Sequence, residues 1–300
     1  MTVRAPRLRR SVLYVPASNP RAMAKSWTLG ADAVVFDLED AVAPAAKPTA
    51  REALVAELAR ERPPGLEVVI RVNAVGTDDL VADLQAVQRA RPDAILVPKV
   101  GDGTDLRVLA DAAARQGLAT DLAVWAMVET AAGLARLDSI VATGLSLRPR
   151  LECLVVGTND IAKETGVFPG ERRAYLMPWL MNVVLVARHR GVAVLDGVWN
   201  DFKDTEGFEA EALQASRMAF DGKTLIHPSQ VEPANRLFSP SAEAIEDARR
   251  IVALFSDPAH AAANVVNMDG RMVERLHYEQ ARRLLERLER STGFDVSSRP

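Results

Sequence analysis

Eight short apolar runs lie between residues 11 and 227, and they limit the possible folds more than any other feature of the chain. Each run is rich in β-branched residues and is apolar almost without interruption, which is typical of parallel strands covered on both faces. Amphipathic segments separate the runs, which also fits a doubly wound open sheet, but the count of eight favours a closed (β/α)8 TIM barrel. The predicted strands are residues 11–17, 33–38, 67–73, 94–99, 122–129, 151–157, 192–197 and 223–227.

The pattern changes after Pro240. Residues 242–255 have the spacing of a helix, residues 257–267 form a connector of small residues, and residues 270–290 predict a long charged helix with no further strand. The sequence therefore predicts two domains, a catalytic barrel over residues 1–239 and a C-terminal helical arm or lid over residues 240–300.

Charge and hydropathy exclude several classes of protein. The 37 basic and 40 acidic residues give a formal net charge of −3, which is unlike the basic footprint of a nucleic-acid-binding protein. No apolar stretch reaches the roughly 20 residues that span a bilayer, and the N-terminus lacks the apolar segment of a signal peptide. The single cysteine, Cys153, lies in an apolar run and is expected to be a buried strand residue. We expect a cytoplasmic protein with neither nucleic-acid nor membrane partners.

Charged residues follow the predicted strands at nearly every turn on one side. The carboxyl ends of barrel strands converge on one mouth, and charge beside a buried strand is costly unless it is paired or functional. Glu129 and Asp160 end consecutive strands, so their carboxylates can approach each other. Two hard oxygen ligands that leave other positions to water and substrate suit Mg²⁺. The alternative is a pair of helix-capping carboxylates.

Arg71 ends the third apolar run, where a cation needs an anion. A substrate carboxylate or enolate oxygen would serve, and so would an internal pair with Asp37 or Glu39; both can hold at once. Lys99 ends the fourth run among carboxylates and is interpreted as an ion-pair partner rather than a Schiff-base lysine. His227 is interpreted as a structural residue at a strand end, and the dispersed histidines give no zinc spacing.

Short motifs in a fixed order run through nearly the whole chain. They are RSVLYVP at residues 10–16, DLEDAV at 37–42, RVN at 71–73, VPK at 97–99, ETA at 129–131, G-x-x-D at 157–160, FDGK at 220–223, IHP at 226–228 and DGRM at 269–272. Each motif is weak alone, but the ordered set is specific. On these motifs the chain resembles the citrate lyase β-subunit-like proteins of the aldolase/citrate lyase superfamily, which are related to malyl-CoA and citramalyl-CoA lyases.

The resemblance implies a fold, an activity and several roles. It implies that Glu129 and Asp160 bind Mg²⁺, and that Arg71 and Glu129 contact substrate. The implied enzyme is a Mg²⁺-dependent carbon–carbon lyase that cleaves or condenses a hydroxyacyl-CoA thioester such as malyl-CoA or citramalyl-CoA, with a small oxo acid as the other substrate or product. Two alternatives stay open: a thioesterase on the same scaffold, and a citrate-lyase-type subunit that needs an acyl-carrier partner.

The resemblance also implies a role for the arm, which in the related lyases covers a neighbouring subunit's active site and supplies an acidic group. Here that acid would be Glu274, on the first turn of the predicted last helix, where many lyases have Asp. The alternative is a carboxylate that merely favours the helix start. A shared site requires a homo-oligomer, and we expect a trimer or hexamer. Asp37 is the next candidate for catalytic acid–base work.

Coenzyme A would bring phosphates to the barrel rim. Arg21, Lys25 and Lys47 flank the first two strand ends, so we consider them candidate phosphate-binding residues. The alternative for each is solvated surface charge.

Overall fold

The computed structural model describes residues 7–118, 121–260 and 263–292. The chain divides into two compact units, Arg9–Phe238 and a second unit that contains the described residues from Ser239 onwards. The first unit is a closed barrel of parallel strands paired in chain order, so the predicted (β/α)8 TIM barrel is confirmed. Its strands are β1 Ser11–Pro16, β2 Ala33–Asp37, β3 Glu67–Arg71, β4 Ala94–Val97, β5 Ala123–Val128, β6 Arg150–Val156, β7 Ala193–Asp196 and β8 Gly222–Leu225.

Helices follow the strands around the outside of the barrel. They are α1 Pro20–Ser26, α2 Lys47–Leu58, α3 Asp79–Ala90, α4 Gly103–Arg115, α5 Ala131–Ala135, α6 Leu137–Ser146, α7 Thr158–Thr165, α8 Met177–Arg190, α9 Thr205–Arg217 and α10 Val231–Leu237. None of the helices in the described part of the chain is both long enough and apolar enough to cross a bilayer.

Side chains alternate along each strand between two apolar layers. Val34 and Phe36 of β2 belong to the outer layer between strands and helices, whereas Val35 belongs to the layer that fills the barrel. Trp125 and Cys153 also lie in this inner layer. Burial raises the pKa of the Cys153 thiol, so this residue is the inert, buried strand cysteine that the sequence predicts.

A buried ion-pair network holds the turn that follows β7. Lys223 Nζ donates to Asp196 Oδ2 and Glu211 Oε1, both at 2.7 Å, and to the Gly197 carbonyl oxygen at 2.6 Å. Arg173 Nη1 donates to the other Asp196 oxygen at 2.6 Å. Burial raises the pKa of Asp196, but the charges of Lys223 and Arg173 outweigh it and hold the pKa below its usual value. The network therefore fixes one wall of the barrel mouth.

The second unit differs from the predicted all-helical arm. A helix, α11 Ala242–Ser256, forms where the sequence predicts one. The segment predicted to contain no strand forms an antiparallel hairpin, β9 Val265–Met268 and β10 Arg271–Glu274, and the last helix, α12 Arg275–Thr292, begins after it. Asp269 and Gly270 have positive φ values of 54° and 83°, the pattern of a two-residue hairpin turn. The prediction that Glu274 lies on a helix is therefore wrong, because Glu274 ends a strand.

The hairpin and its two helices enclose a small apolar core of their own. Ile251 and Phe255 of α11 meet Val266 and Val273 of the hairpin there. Burial of Val266 and Val273 against the helix explains why these two short segments pair as strands.

Candidate active site

A cavity of about 330 Å³ opens at the carboxyl ends of the barrel strands. Three residues that the sequence predicts as site residues, Asp37, Arg71 and Asp160, line it together. Among the described residues that line the cavity, Arg71 is the one cationic side chain. The strand ends therefore bring three of the predicted site residues to a single cavity.

Arg71 is held by two buried carboxylates. Its Nε and Nη2 donate to Asp37 Oδ1 and Oδ2 at 2.7 and 2.5 Å, and its Nη1 lies 2.9 Å from Glu39 Oε2. Burial lowers the pKa of Arg71, but the hydrogen bonds and charge of Asp37 outweigh it and raise the pKa. The predicted internal pair is confirmed, and Arg71 is a permanently charged, oriented cation on the cavity wall.

Both carboxylate oxygens of Asp37 already accept hydrogen bonds from other residues. Besides Arg71, it accepts the backbone amides of Glu39 at 2.9 Å and of Ala41 at 3.2 Å. Asp37 is only 1% exposed. This environment suits a residue that positions Arg71 better than one that transfers a proton.

Lys99 contacts three carboxylates. Its Nζ pairs with Glu39 Oε1 and lies 3.6 Å from Asp40 Oδ1, as predicted for an ion-pair partner. Its backbone amide donates to Glu129 Oε1 at 2.6 Å. Lys99 reaches this position with φ of 56°, in the left-handed region that lysine rarely adopts. Such strain at a non-glycine residue is typical of functional sites.

Glu129 occupies a narrow space at the end of β5. It is 2% exposed and faces Gly157, where a Cβ would lie 2.6 Å from Glu129 Cβ and 2.7 Å from Oε2. Only glycine at position 157 leaves room for this carboxylate. Burial raises the pKa of Glu129 against the hydrogen bond from the Lys99 amide, and with the added effect of the Asp160 charge the pKa is about 7.

The pair of Glu129 and Asp160 fits a divalent cation. Burial and the nearby charge of Asp160 both destabilise the ionised form of Glu129. A cation between the two carboxylates would stabilise that form. Asp160 lies in the first turn of α7 and lines the cavity. Within the described ranges no cluster of three or more His, Cys, Asp or Glu side chains could hold a metal. An ion held by Glu129 and Asp160 would complete its shell with water or substrate, as Mg²⁺ commonly does.

A comparison with known proteins identifies the family of this chain. Residues 10–228 match the family described as HpcH/HpaI aldolase/citrate lyase. The chain belongs to this family.

Relatives in the aldolase/citrate lyase family extend over almost the whole chain. A (3S)-malyl-CoA thioesterase from Cereibacter sphaeroides is 43% identical over 288 residues, covering 96% of this chain and 97% of that protein. The citrate lyase subunit beta of Escherichia coli is 31% identical, with 96% of each chain covered. The solved structure of CitE from Mycobacterium tuberculosis in complex with magnesium, acetoacetate and coenzyme A is 30% identical, with a TM-score of 0.75, covering 95% of this chain and 99% of that one. The resemblance inferred from the ordered motifs is confirmed.

The three cations predicted to bind coenzyme A phosphates differ in their exposure and in their partners. Arg21 and Lys25 lie exposed on α1 and make no ion pair with another described residue. Lys47 donates to Asn73 Oδ1 and lies 3.7 Å from Asp79 Oδ2, with its side chain 11% exposed. None of the three lines the cavity. Their phosphate-binding role stays a prediction, and Lys47 would have to exchange partners to fulfil it.

Two other predicted residues are engaged locally. Glu274 is exposed in the second unit, and its backbone amide donates to His277 Nδ1 at 2.9 Å. Its acid–base role stays a prediction. His227 contacts Ser229 through Nδ1 at 2.7 Å and stacks on Phe202 with ring centroids 4.6 Å apart, in line with the structural interpretation.

Sequence reasoning missed Tyr14 and Met127, which both line the cavity. Tyr14 lies in β1, and Met127 lies one residue before the end of β5. The available signal was the two-residue period of the strands, since Tyr14 shares a face with Val12 and Met127 shares a face with Trp125. Both sit inside runs that read as uniformly apolar, so no polar pattern drew attention to the tyrosine hydroxyl.

Proposed function

We propose that this member of the aldolase/citrate lyase family acts on the coenzyme A thioester of a small hydroxy acid, such as malyl-CoA or citramalyl-CoA, with Mg²⁺ held by Glu129 and Asp160. The observation that carries the proposal is the buried Glu129 carboxylate, which faces Gly157 and adjoins Asp160 beside a cavity that contains Arg71. The relative solved with magnesium, acetoacetate and coenzyme A supports the same ligand classes.

Charge in the cavity explains why a metal ion would be needed. Asp37, Asp40 and Asp160 line it, Asp37 already neutralises Arg71, and Lys99 lies beside Asp40, which leaves Asp160 without a cation among the described lining residues. A hydroxy-acid carboxylate would be repelled from such a site. When bound, Mg²⁺ would supply the missing positive charge and act as a Lewis acid on the oxygen beside that carboxylate.

Thioester hydrolysis is the reaction that we favour. The relative with 43% identity over nearly the full chain is named a (3S)-malyl-CoA thioesterase. In this reaction water attacks the thioester carbonyl carbon, the carbon–sulfur bond breaks, the sulfur leaves with a proton as free thiol, and the hydroxy acid is released. Arg71 would stabilise the negative charge that develops on the carbonyl oxygen. Glu274 of a neighbouring copy is our candidate for accepting the proton from water.

Carbon–carbon cleavage is the second candidate, because Arg71 also suits an enolate. In this reaction the hydroxyl oxygen loses its proton and becomes the carbonyl oxygen of an oxo acid. The carbon–carbon bond breaks, its electron pair forms the enolate of the shorter thioester, and that enolate is then protonated. Arg71 is fixed on the cavity wall by Asp37, as an oxyanion-stabilising cation must be. A subunit that needs an acyl-carrier partner is the third possibility, in line with the 31% identical citrate lyase subunit beta.

One assay panel separates these functions. The purified protein is incubated with malyl-CoA and citramalyl-CoA, with and without Mg²⁺, while free thiol and oxo acid are measured in parallel. Free thiol with intact hydroxy acid identifies the thioesterase, and oxo acid without free thiol identifies the lyase. Neither product, in the presence of Mg²⁺, would contradict a free-standing enzyme for these thioesters and point to the carrier-dependent subunit.

A further inference from the structure

Two hydrogen-bond donors converge on one sulfur atom inside the cavity. Tyr14 Oη lies 3.9 Å from Met127 Sδ, and Arg71 Nη1 lies 3.8 Å from the same atom. The guanidinium carbon of Arg71 lies over the Tyr14 ring, 5.1 Å from its centroid. The hydroxyl and the guanidinium are therefore neighbours that point to a common region of the cavity wall.

The shared sulfur is a poor partner for both donors. A thioether is a weak acceptor, and it is the one hydrogen-bond partner that the Tyr14 hydroxyl has among the described residues. Tyr14 is only partly exposed, and a hydroxyl shielded from solvent loses free energy unless it is well paired. Substrate oxygen is the stronger acceptor that such a cavity would receive.

The Tyr14 hydroxyl keeps its proton in this environment. Burial raises the pKa of Tyr14, and the nearby carboxylates of Asp37, Glu129 and Glu39 raise it further, against the charge of Arg71. Tyr14 is thus a neutral O–H donor beside a cation. That combination suits an oxygen that gains negative charge during a reaction.

We propose that Tyr14 is a catalytic residue whose hydroxyl, together with Arg71 Nη1, donates a hydrogen bond to the carbonyl oxygen of the substrate thioester. The inference rests on the proposed function and extends it to a second donor. Water attack in hydrolysis and bond cleavage in the lyase reaction both place negative charge on this oxygen. Tyr14 would therefore stabilise this oxygen in thioester hydrolysis and in carbon–carbon cleavage alike.

The test compares Tyr14→Phe with wild type. This change removes the hydroxyl and keeps the ring against Arg71, so only the donor is lost. Removing one oxyanion donor typically costs about 10²–10³-fold in turnover, and we expect kcat/KM to fall on the order of 10²-fold. The thermal midpoint should stay at the wild-type value, because the lost contact within the protein is a weak one to sulfur. Tyr175→Phe is the matched control, since Tyr175 is 66% exposed and does not line the cavity.

Two outcomes would overturn the role of Tyr14. One is wild-type kcat/KM in Tyr14→Phe; the other is a loss of activity that comes with a lower thermal midpoint, which marks a structural role. A wild-type protein that neither turns over nor binds malyl-CoA in calorimetry with Mg²⁺ would overturn the proposed function as well. If wild type binds malyl-CoA without turnover, the role of Tyr14 is tested by comparing the malyl-CoA affinity of Tyr14→Phe with that of wild type. Binding at least about 5-fold weaker in Tyr14→Phe, the value of one neutral hydrogen bond, supports the role, and equal binding overturns it.

Discussion

Asp37 holds Arg71 through two parallel hydrogen bonds, from Nε to Oδ1 at 2.7 Å and from Nη2 to Oδ2 at 2.5 Å. The planar fork of the guanidinium matches the carboxylate, so the pair fixes both the position and the plane of the cation. Its remaining nitrogen, Nη1, is left facing Glu39 and Met127. The substrate-facing chemistry of Arg71 therefore depends on a residue that need not touch substrate.

Arg71→Lys tests this dependence on the planar fork. Lysine keeps the charge but cannot engage Asp37 through two parallel bonds, so its ammonium will not be held in one plane. We expect kcat/KM to fall at least ~10-fold with the fold retained, measured by steady-state kinetics and circular dichroism. Unchanged kinetics would assign Arg71 to a purely structural pair with Asp37.

Glu129→Gln tests the metal site with a readout besides activity. Mg²⁺ that binds only the folded wild-type protein should raise its thermal midpoint by mass action. The amide is nearly the same size but carries no charge, so this Mg²⁺-dependent rise and the Mg²⁺-dependent activity should both disappear. Without Mg²⁺ the variant should be at least as stable as wild type, because a buried charge is removed. Glu61→Gln, at an exposed position, is the control that should keep the Mg²⁺ response. A full Mg²⁺ response in Glu129→Gln would exclude the ligand role.

Gly157→Ala tests the space around Glu129. The added Cβ would lie 2.6 Å from Glu129 Cβ, which real Cβ atoms do not tolerate, so Glu129 must shift. We expect loss of the Mg²⁺-dependent rise in thermal midpoint and a large fall in turnover. Gly101→Ala is the matched control, because a Cβ there meets its nearest atoms at 3.6 and 3.7 Å, which is ordinary contact. Equal behaviour of the two variants would mean that the space beside Glu129 is not limiting.

Lys223→Met tests the buried network behind β7. The methionine leaves Asp196 and Glu211 without their shared cation, and breaking a buried pair in this way typically costs about 3–5 kcal/mol of unfolding free energy. Denaturant unfolding measures this loss.

The same network predicts that the wild-type protein loses folding stability at low pH. Because the folded pKa of Asp196 is depressed, its contribution is fully present above the unfolded pKa of about 3.9 and is lost as the pH falls through the folded value. Stability that does not decline below about pH 4 would contradict this assignment.

Glu274→Gln tests the acid that we assign to a neighbouring copy. We expect the variant to keep its assembly and its substrate affinity while turnover falls by roughly 10²–10⁴-fold, the usual effect of losing a general acid or base. Sedimentation should show a homo-oligomer for both proteins, and we predict a trimer or hexamer. A monomeric wild type would exclude a site shared between subunits. Unchanged turnover in Glu274→Gln would exclude Glu274 as the acid or base and make Glu39 the next candidate.

Strand positions and the charged mouth could be predicted from the sequence because both depend on local pattern. Apolar runs with a polar residue at the end mark where a buried strand meets solvent, which is why Arg71 and Glu129 were found. Tyr14 was missed because its hydroxyl is hidden within an apolar run. The contacts of Lys47 with Asn73 and Asp79 depend on three separate elements, and no linear pattern encodes such a meeting.

The sequence contains a signal for the hairpin of the second unit, but a helical pattern overlaps it. Asp269-Gly270 between two short segments that contain valine is a hairpin signature. The charged helical spacing over residues 270–290 includes the second strand of the hairpin and predicts a helix there. That pattern predicts the wrong element for Glu274, which ends β10, and Glu274 stays the candidate acid.

The left-handed backbone of Lys99 and its ion pair favour different side chains at one position. Glycine or asparagine reaches φ of 56° at lower steric cost than lysine does. Either replacement keeps the backbone amide that Glu129 accepts but deletes the ammonium beside the buried Glu39. Evolution towards a more relaxed backbone and evolution towards a better-paired carboxylate would therefore pull residue 99 in opposite directions.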